Sequence, residues 1–428
     1  MKVNSLEVNP TDLNFALDQD QKDPLAHFRG RFHFPETKTG KPFIYFCGNS
    51  LGLQPDTAEQ YIKEELDAWK KLGVEGHLNA KRPWLPYHEL LTEYTAEIAG
   101  ALEKEVVVMN SLTVNLHLLM TSFYRPRGKR KKILIENNAF PSDRYAVQSQ
   151  LKIHGNHPKE DLMILNPDQG ETITTHWILD CLEHHGDKIA MVLIGGVNYY
   201  SGQAFDMEAI TRKAHEYNCL VGFDLAHGAG NLHLKLHDWG VDFAAWCGYK
   251  YLNGGPGAPS GVFIHERHLG KSDIPRFEGW WGHDKSTRFQ MPDEFVPTAS
   301  VEAWQLSNPP IFSMAPLLAS LELFHEAGIE NLRKKSEKLT SYLENLLENE
   351  LEDEIEIITP KSIEDRGCQL SLRLKTEIPN IMDELHRQGI LADWREPDVV
   401  RIAPVPLYNT FEDCYQFVQR MKKIVRGE

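Results

Sequence analysis

Five short runs of mainly apolar residues, separated by longer stretches of helical periodicity, constrain the fold of this chain most strongly. The runs occupy residues 132–136, 190–194, 220–224, 243–247 and 262–265. Each is almost continuously apolar instead of alternating between apolar and polar side chains, which is typical of strands covered on both faces of a parallel sheet. The pattern therefore predicts an α/β domain.

The pattern changes after Pro309 and Pro310. Two helices, at 315–327 and 331–350, precede an interleaved series of strands and helices near Ile355, Leu370, Ile381, Val400 and Phe411. This arrangement is typical of a smaller α+β domain, and a chain of 428 residues suits one large and one small domain. We therefore expect an N-terminal segment (1–45) that packs on the small domain, a large α/β domain (46–310) and a small C-terminal α+β domain (311–428).

The formal net charge of −15 argues against a nucleic acid as the main partner, because binding to a phosphate backbone needs a basic surface. Neither a signal peptide nor a membrane span is predicted, since the N-terminus lacks an apolar core and the apolar run at 189–196 is far too short. Six scattered cysteines without a C-x-x-C pair favour a reducing compartment. We predict a soluble, cytoplasmic protein with neither nucleic-acid nor membrane partners.

Two residues in the segment 221–266 indicate carbonyl chemistry. Asp224 closes one apolar run, and Lys250 follows the next run 26 residues later, between two tyrosines. Open α/β sheets bind ligands outside the carboxyl ends of their strands, where both side chains are expected. A lysine amine can form an imine with a carbonyl cofactor, and a buried aspartate can keep a pyridine nitrogen protonated. Taken singly, a strand-terminal aspartate or a lysine is as well explained by a structural or surface role.

Several blocks of the chain, in order, resemble the kynureninase family, in the class V branch of the aminotransferase fold. The segment around Asp224 and Lys250 carries the resemblance in FDLAHGAGN (223–231), HDWGVDFAAWCGYKYLNGGPG (237–257) and GVFIHERH (261–268). Further blocks are GNSLGLQP (48–55), NSLTVNLHLLM (110–120), NAFPSDRYA (138–146), GWWGHD (279–284), SNPP (307–310), RGCQLSL (366–372) and VRIAPVPLYN (400–409). The resemblance implies the pyridoxal 5'-phosphate (PLP)-dependent transferase fold type I, with a mostly parallel sheet of seven strands.

The resemblance also implies a cofactor site. Lys250 is expected to carry PLP as a Schiff base, Asp224 to pair with the pyridinium nitrogen, and Phe140 to stack on the ring. Asp143 is expected as a second carboxylate near the ring nitrogen. Tyr249 is expected as a phosphate contact that either also moves protons at the substrate carbonyl or holds the phosphate alone. The other expected cofactor residues are Leu112 and Thr113, whose N–H groups begin a helix and suit a phosphate, together with Pro141, Ser142, His227, Trp280 and Asn308. We expect no side-chain bond to the cofactor at Gly195.

The substrate end of the site is expected in the last part of the chain. Arg401 resembles the family's clamp for the substrate α-carboxylate, a task that suits a guanidinium because it forms two parallel charge-assisted bonds. The aromatic ring of the substrate is expected to contact Ser50, His77, Ser307 and Asn308. The implied reaction is hydrolytic cleavage of the Cβ–Cγ bond of L-kynurenine or 3-hydroxy-L-kynurenine, in tryptophan catabolism and NAD biosynthesis. The resemblance further implies a homodimer in which Trp280 and Asn308 reach the cofactor of the neighbouring subunit.

Other functions are less well supported by the residues. Another class V reaction, such as cysteine desulfuration or transamination, is the nearest alternative, but desulfuration needs a mobile cysteine, and neither Cys368 nor Cys414 suits that role. A nicotinamide enzyme is disfavoured because no G-x-G-x-x-G motif follows the early strands. The spacing of His227, His233 and His237 does not fit tetrahedral metal ligands, so no metal site is predicted.

Overall fold

The computed structural model describes residues 11–427, in which two larger sheets account for most of the strands. The strands in chain order are β1 (Phe32–His33), β2 (Ile44–Tyr45), β3 (Gln54–Pro55), β4 (Val106–Met109), β5 (Lys132–Glu136), β6 (Leu162–Leu165), β7 (Ile189–Gly195), β8 (Leu220–Asp224), β9 (Phe243–Trp246), β10 (Ser260–Ile264), β11 (Ile355–Ile357), β12 (Leu370–Leu374), β13 (Ile390–Leu391), β14 (Asp393–Arg395) and β15 (Val399–Ile402).

Helices cover the faces of these sheets. In chain order they are α1 (Leu13–Gln21), α2 (Ala58–Leu72), α3 (Gly76–Asn79), α4 (Thr92–Ala99), α5 (Leu112–Phe123), α6 (Pro141–Ile153), α7 (Pro158–Asp161), α8 (Thr175–His185), α9 (Met207–Glu216), α10 (Ile311–Ala327), α11 (Ile329–Leu351), α12 (Ile381–Arg387) and α13 (Phe411–Arg426). None of these helices is both long enough and apolar enough to cross a membrane.

The first larger sheet has seven strands in the order β4-β10-β9-β8-β7-β5-β6. All neighbouring pairs are parallel except those made by β10, which runs antiparallel to both β4 and β9. The expected α/β fold with a mostly parallel seven-stranded sheet is therefore confirmed. The expectation that 262–265 belongs to a parallel arrangement is wrong, because a strand buried on both faces produces the same apolar run in either direction.

Burial on both faces explains the continuous apolar runs. Along β5 and β7, successive side chains enter two different cores: Leu134 and Val192 lie in one, whereas Ile135 and Leu193 lie in the other. The sequence analysis missed β4 and β6. Strand β6 is only half-buried along most of its length, and β4 is a four-residue strand directly after a charged turn.

The second larger sheet is antiparallel, with the order β11-β12-β15-β14. It shares a core with α11 and α13. The described part of the N-terminal segment contacts this region, because Asp20 accepts hydrogen bonds from the N–H groups of Phe411 and Glu412. Phe28 and Phe32, however, lie in the core of the first sheet. Residues 1–10 of the expected segment lie outside the described part of the chain.

Helix α10 determines where the two regions divide. Its buried side chains, including Leu318, Leu321 and Phe324, pack into the core of the seven-stranded sheet, not into the C-terminal core. The division of the chain at residue 310 stays a prediction, and this packing favours a boundary nearer Gly328.

Candidate active site

Three neighbouring parallel strands bring polar groups to the carboxyl edge of the seven-stranded sheet. Glu136 ends β5, Gly195 ends β7 and Asp224 ends β8, which is the edge where α/β sheets bind ligands. A cavity of about 330 Å³ opens there, within the usual size range of small-molecule sites. Its wall contains most of the residues that the sequence had indicated: Ser50, Leu112, Thr113, Phe140, Ser142, Asp143, Asp224, His227, Tyr249, Lys250 and Arg401.

Lys250 lines this cavity, in the turn after β9. Its Nζ is 3.1 Å from Nε2 of His227 and 5.8 Å from the centroid of the Phe140 ring. Burial and the neighbouring lysine lower the pKa of His227 well below its usual value, so this imidazole is neutral. Its Nε2 therefore accepts a hydrogen bond from the amine, and its Nδ1 is buried without a partner.

One end of the cavity is acidic. The carboxyl of Asp143, in the first turn of α6, lies close enough to Asp224 for their charges to interact. Burial and the charge of Asp224 raise the pKa of Asp143 well above its usual value. Burial likewise raises the pKa of Glu136 to about 7. Asp224 also accepts a hydrogen bond of 2.7 Å from the N–H of Ala226, which holds its carboxylate in place.

The start of α5 forms another wall. Ser111 is its N-cap residue, and its side chain makes no capping bond, so the first N–H groups of the helix, at Leu112 and Thr113, are directed outward without intrahelical partners. Such a helix start attracts anions. Tyr249 also lines the cavity, and burial raises its pKa, so its hydroxyl keeps its proton and can donate a hydrogen bond.

The remaining end of the cavity carries two guanidinium groups. Arg401, on β15, is almost completely buried, and its Nη1 donates to the carbonyl oxygen of Tyr199 at 2.6 Å. Its Nη2 contacts Asp393 and lies 3.3 Å from Oγ of Ser50. Arg395 lines the cavity as well, with Nη2 3.1 Å from the same Asp393 oxygen. This end is suited to a carboxylate ligand.

The whole arrangement fits PLP. An amine for the carbonyl, a buried carboxylate for a ring nitrogen and a helix start for a phosphate surround one cavity. Five residues of its wall each have a buried polar atom without a partner in the described chain, and these include Oδ1 of Asp143 and Nδ1 of His227. Because buried polar groups are normally hydrogen-bonded, these atoms indicate that a polar ligand belongs in the cavity.

Comparison with known proteins then identifies the family. The chain is 56% identical to a kynureninase of Koribacter versatilis over 411 residues, which cover 96% of this chain and 97% of that protein. It is also 56% identical to a kynureninase of Myxococcus xanthus over 410 residues, 96% of each chain. The chain belongs to the kynureninase family. A sequence profile described as the kynureninase C-terminal domain matches residues 332–421.

Solved structures agree with this fold at much lower identity. A cystine C–S lyase, solved with its product cysteine persulfide, is 18% identical with a TM-score of 0.75, covering 89% of this chain and 98% of that one. A cysteine desulfurase of Thermococcus onnurineus is 18% identical with a TM-score of 0.73, covering 96% of this chain and 98% of that one. At such identity the likeness concerns the fold alone.

Five residues expected at the site lie outside the cavity wall of this single chain: Pro141, His77, Trp280, Ser307 and Asn308. The indole N–H of Trp280, expected at a phosphate, instead donates to the carbonyl oxygen of Arg288 at 3.1 Å. The ring of His77 packs edge-on against Trp84, with the ring centroids 5.4 Å apart. Trp280 is nevertheless 45% exposed, which leaves its ring available to another molecule.

The structure adds residues that the sequence analysis of this kynureninase-family chain missed. Glu136 closes its apolar run just as Asp224 does, so the same signal could have found it. Gly195 lines the cavity through its backbone, and its N–H donates to Oε1 of Glu136 at 3.1 Å. Asn49, Tyr199 and Arg395 also line the wall, and no sequence pattern distinguished the last two.

One cysteine and one cluster of potential metal ligands bear on alternative chemistry. Cys247 lies on the cavity wall, but burial raises its pKa to about 11, so it stays a thiol and is a poor nucleophile. Glu105, His237 and His265 bring potential metal ligands within 4.8 Å of one another. The oxygens of Glu105 already accept bonds from His237 and from the N–H groups of Leu102 and Glu266, which describes an internal network.

Proposed function

We propose that this chain catalyses the hydrolytic cleavage of the Cβ–Cγ bond of L-kynurenine and 3-hydroxy-L-kynurenine. The products are L-alanine and anthranilate or 3-hydroxyanthranilate. The observation that carries the proposal is the single cavity in which Lys250, Asp224 and Arg401 meet. Membership of the kynureninase family supports the same activity, because relatives that are 56% identical over nearly the whole chain bear that name.

PLP is the cofactor that this cavity fits. Lys250 would bind its carbonyl carbon, Asp224 and Asp143 would face the ring nitrogen, and Phe140 would lie against the ring. Leu112 and Thr113, at the start of α5, would hold the phosphate, with Ser142 and Tyr249 nearby. When bound, PLP withdraws electrons from the substrate α-carbon, provided that its nitrogen is protonated.

The side chains of the cavity have different roles in the proposed reaction. Arg401 holds the substrate α-carboxylate and so places the Cα–H bond near the Lys250 amine, which removes and returns the proton. Neutral His227 accepts a hydrogen bond from this amine at 3.1 Å, which orients the lysine. Burial raises the pKa of Tyr249, so its hydroxyl keeps its proton and can donate a hydrogen bond to the substrate carbonyl as water adds.

Incubation of the PLP-loaded protein with L-kynurenine tests this function. We expect anthranilate, followed by its fluorescence, and L-alanine, measured by chromatography, in equal amounts. L-cysteine serves as the comparison substrate, because a desulfurase would release sulfide from it. Sulfide release without cleavage of kynurenine would contradict the proposal.

We further propose that the active unit is a homodimer in the cytoplasm. Several large apolar side chains near Trp280 are exposed, including Phe277, Phe289 and Met291, and such a patch is typical of an interface. In this arrangement Trp280 and Asn308 contact the cofactor of the neighbouring subunit.

A mixing experiment tests the shared site. Lys250→Ala and Trp280→Ala are each expected to lower activity, but a mixture refolded together forms some pairs with one intact site, so up to about one quarter of wild-type activity should return. Sedimentation gives the oligomeric state independently. A fully active monomer, or a mixture no more active than its components, would contradict the dimer site.

A further inference from the structure

Two of the three nitrogens of the Arg401 guanidinium already have partners within the chain. Nη1 donates to the carbonyl oxygen of Tyr199, and Nη2 contacts both Asp393 and Ser50. Only Nε is buried without a partner. A carboxylate that binds a guanidinium side-on needs two neighbouring N–H groups, and each such edge of Arg401 includes Nη2. An incoming carboxylate therefore competes with Asp393.

The guanidinium of Arg395 can pair with Asp393 when Asp393 leaves Arg401. Oδ2 of Asp393 accepts from Nη2 of Arg395 at 3.1 Å and from the hydroxyl of Ser50, as well as from Arg401. Arg395 also has a buried Nε without a partner. The carboxylate of Asp393 thus pairs with both guanidinium groups. In each of these two arginines, which both line the cavity, Nε is left without a hydrogen-bond acceptor. Within this group of side chains two positive charges face one negative charge, and a second carboxylate would balance them.

We propose that Asp393 is a positioning residue of the substrate site, which occupies the carboxylate-binding edge of Arg401 until an amino-acid carboxylate displaces it toward Arg395 and Ser50. The inference rests on the proposed role of Arg401. It assigns Arg395 to the same site as the counter-ion that keeps Asp393 paired during the exchange. A weakly held anion gains too little to displace Asp393, so the exchange favours ligands that also bind elsewhere in the cavity.

Asp393→Asn removes the competing charge and nearly preserves the shape of the side chain. We expect the dissociation constant of L-alanine for the PLP-loaded protein to fall about tenfold, because a hydrogen bond between charged groups no longer has to be broken. The KM for L-kynurenine should fall while kcat does not rise, since the amino-acid product leaves more slowly. A purely structural role of Asp393 would instead weaken binding.

Propionate and a matched variant complete the experiment. Propionate carries the carboxylate without the amine, so its inhibition constant reports the guanidinium edge separately from the cofactor, and it should fall in Asp393→Asn too. Asp398→Asn is the control, because Asp398 pairs with Arg373 at 3.3 Å and is partly exposed; it changes the net charge equally and should leave both constants unchanged. Constants that are unchanged or higher in Asp393→Asn would overturn the proposal.

Two further measurements distinguish a failure of the proposed exchange from a failure of the proposed function. Arg401→Lys should weaken L-alanine binding; if it does and Asp393→Asn does not tighten binding, the exchange is wrong while the function stands. If Asp393→Asn does not fold, a crystal structure of the wild-type holoenzyme with L-alanine decides. We expect the ligand carboxylate on Arg401 and Asp393 on Arg395, and an Asp393–Arg401 contact that persists beside the bound carboxylate would overturn the inference.

Discussion

At one end of the cavity three carboxyl groups face one another, whereas at the other end two guanidinium groups share a single carboxylate. At the acidic end, burial and like charge raise the pKa of Asp143 and of Glu136, so protons are retained there. At the guanidinium end, burial lowers the pKa of Arg401, but a guanidinium stays charged at any physiological pH. The net charge of the acidic end therefore changes when its carboxyl groups gain or lose protons. The net charge of the guanidinium end changes only when one carboxylate partner replaces or joins another.

Lys250, between the two ends, should produce the largest effect. Lys250→Ala leaves both charged ends in place, yet we expect turnover of kynurenine to fall by about 10⁴-fold or more, because both the imine former and the proton carrier are lost. Circular dichroism should show an unchanged fold. Lys235→Ala, at an exposed position, is the matched control and should retain full activity. More than trace activity in Lys250→Ala would show that the acidic and guanidinium ends of the cavity support turnover without the lysine.

The acidic end should respond unequally to neutralisation of its two aspartates. Asp224→Asn should fold and bind PLP but lose about 10³-fold in kcat/KM, because an amide does not keep the ring nitrogen protonated. Asp143→Asn should lose only about tenfold, since the raised pKa of Asp143 makes it the protonated partner at neutral pH. Kinetics of both variants under one set of conditions measure the difference. An equal loss in the two would mean that the pair shares the task.

Comparing kynurenine with 3-hydroxykynurenine tests whether residues outside this cavity wall contact the substrate ring. We expect 3-hydroxykynurenine to be preferred over kynurenine by about tenfold in kcat/KM, because polar partners left unpaired penalise the plain substrate. His77 and Asn308, the expected partners, lie outside the cavity wall of one chain, so in the proposed homodimer the preference would depend on how the neighbouring subunit completes the site. Both substrates should be measured on wild type and on His77→Trp; a wild-type ratio near one would refute the prediction.

Glu136 should give the smallest effect, on stability. Its pKa rises from 4.5 to about 7 in the folded chain, so its contribution to the free energy of unfolding is fully present below pH 4.5 and is lost as the pH rises through 7. The difference corresponds to about 3 kcal/mol at most. Glu136→Gln should therefore lose less stability than wild type between pH 5 and pH 8, measured by urea unfolding of the cofactor-free proteins. Parallel stability curves would show that Glu136 does not titrate in this range.

Much of the acidic end was predictable because its residues follow local rules. Asp224 closes a buried apolar run, and parallel strands end at one edge of a sheet, so its place at the ligand site followed from the pattern alone. Glu136 obeys the same rule and could have been predicted. Lys250 follows the next run, and Thr113 begins a helix, so their roles also depended on neighbouring residues in the chain.

The guanidinium end was decided by tertiary structure. Arg401 meets the carbonyl of Tyr199, which is 202 residues away in the chain, and Ser50 meets Asp393 across 343 residues. Apolar periodicity reports whether a side chain is buried, but not which distant strand end it meets, and an arginine in a strand looks the same with or without a partner. The sequence alone determined the fold class, the family resemblance and the lysine–aspartate pair. Pairing of β14 with β15 sets Asp393 opposite Arg401 within the C-terminal sheet. Only the packing of that sheet against the rest of the chain brought this group to Tyr199 and Ser50, because that contact depends on how two separate cores meet.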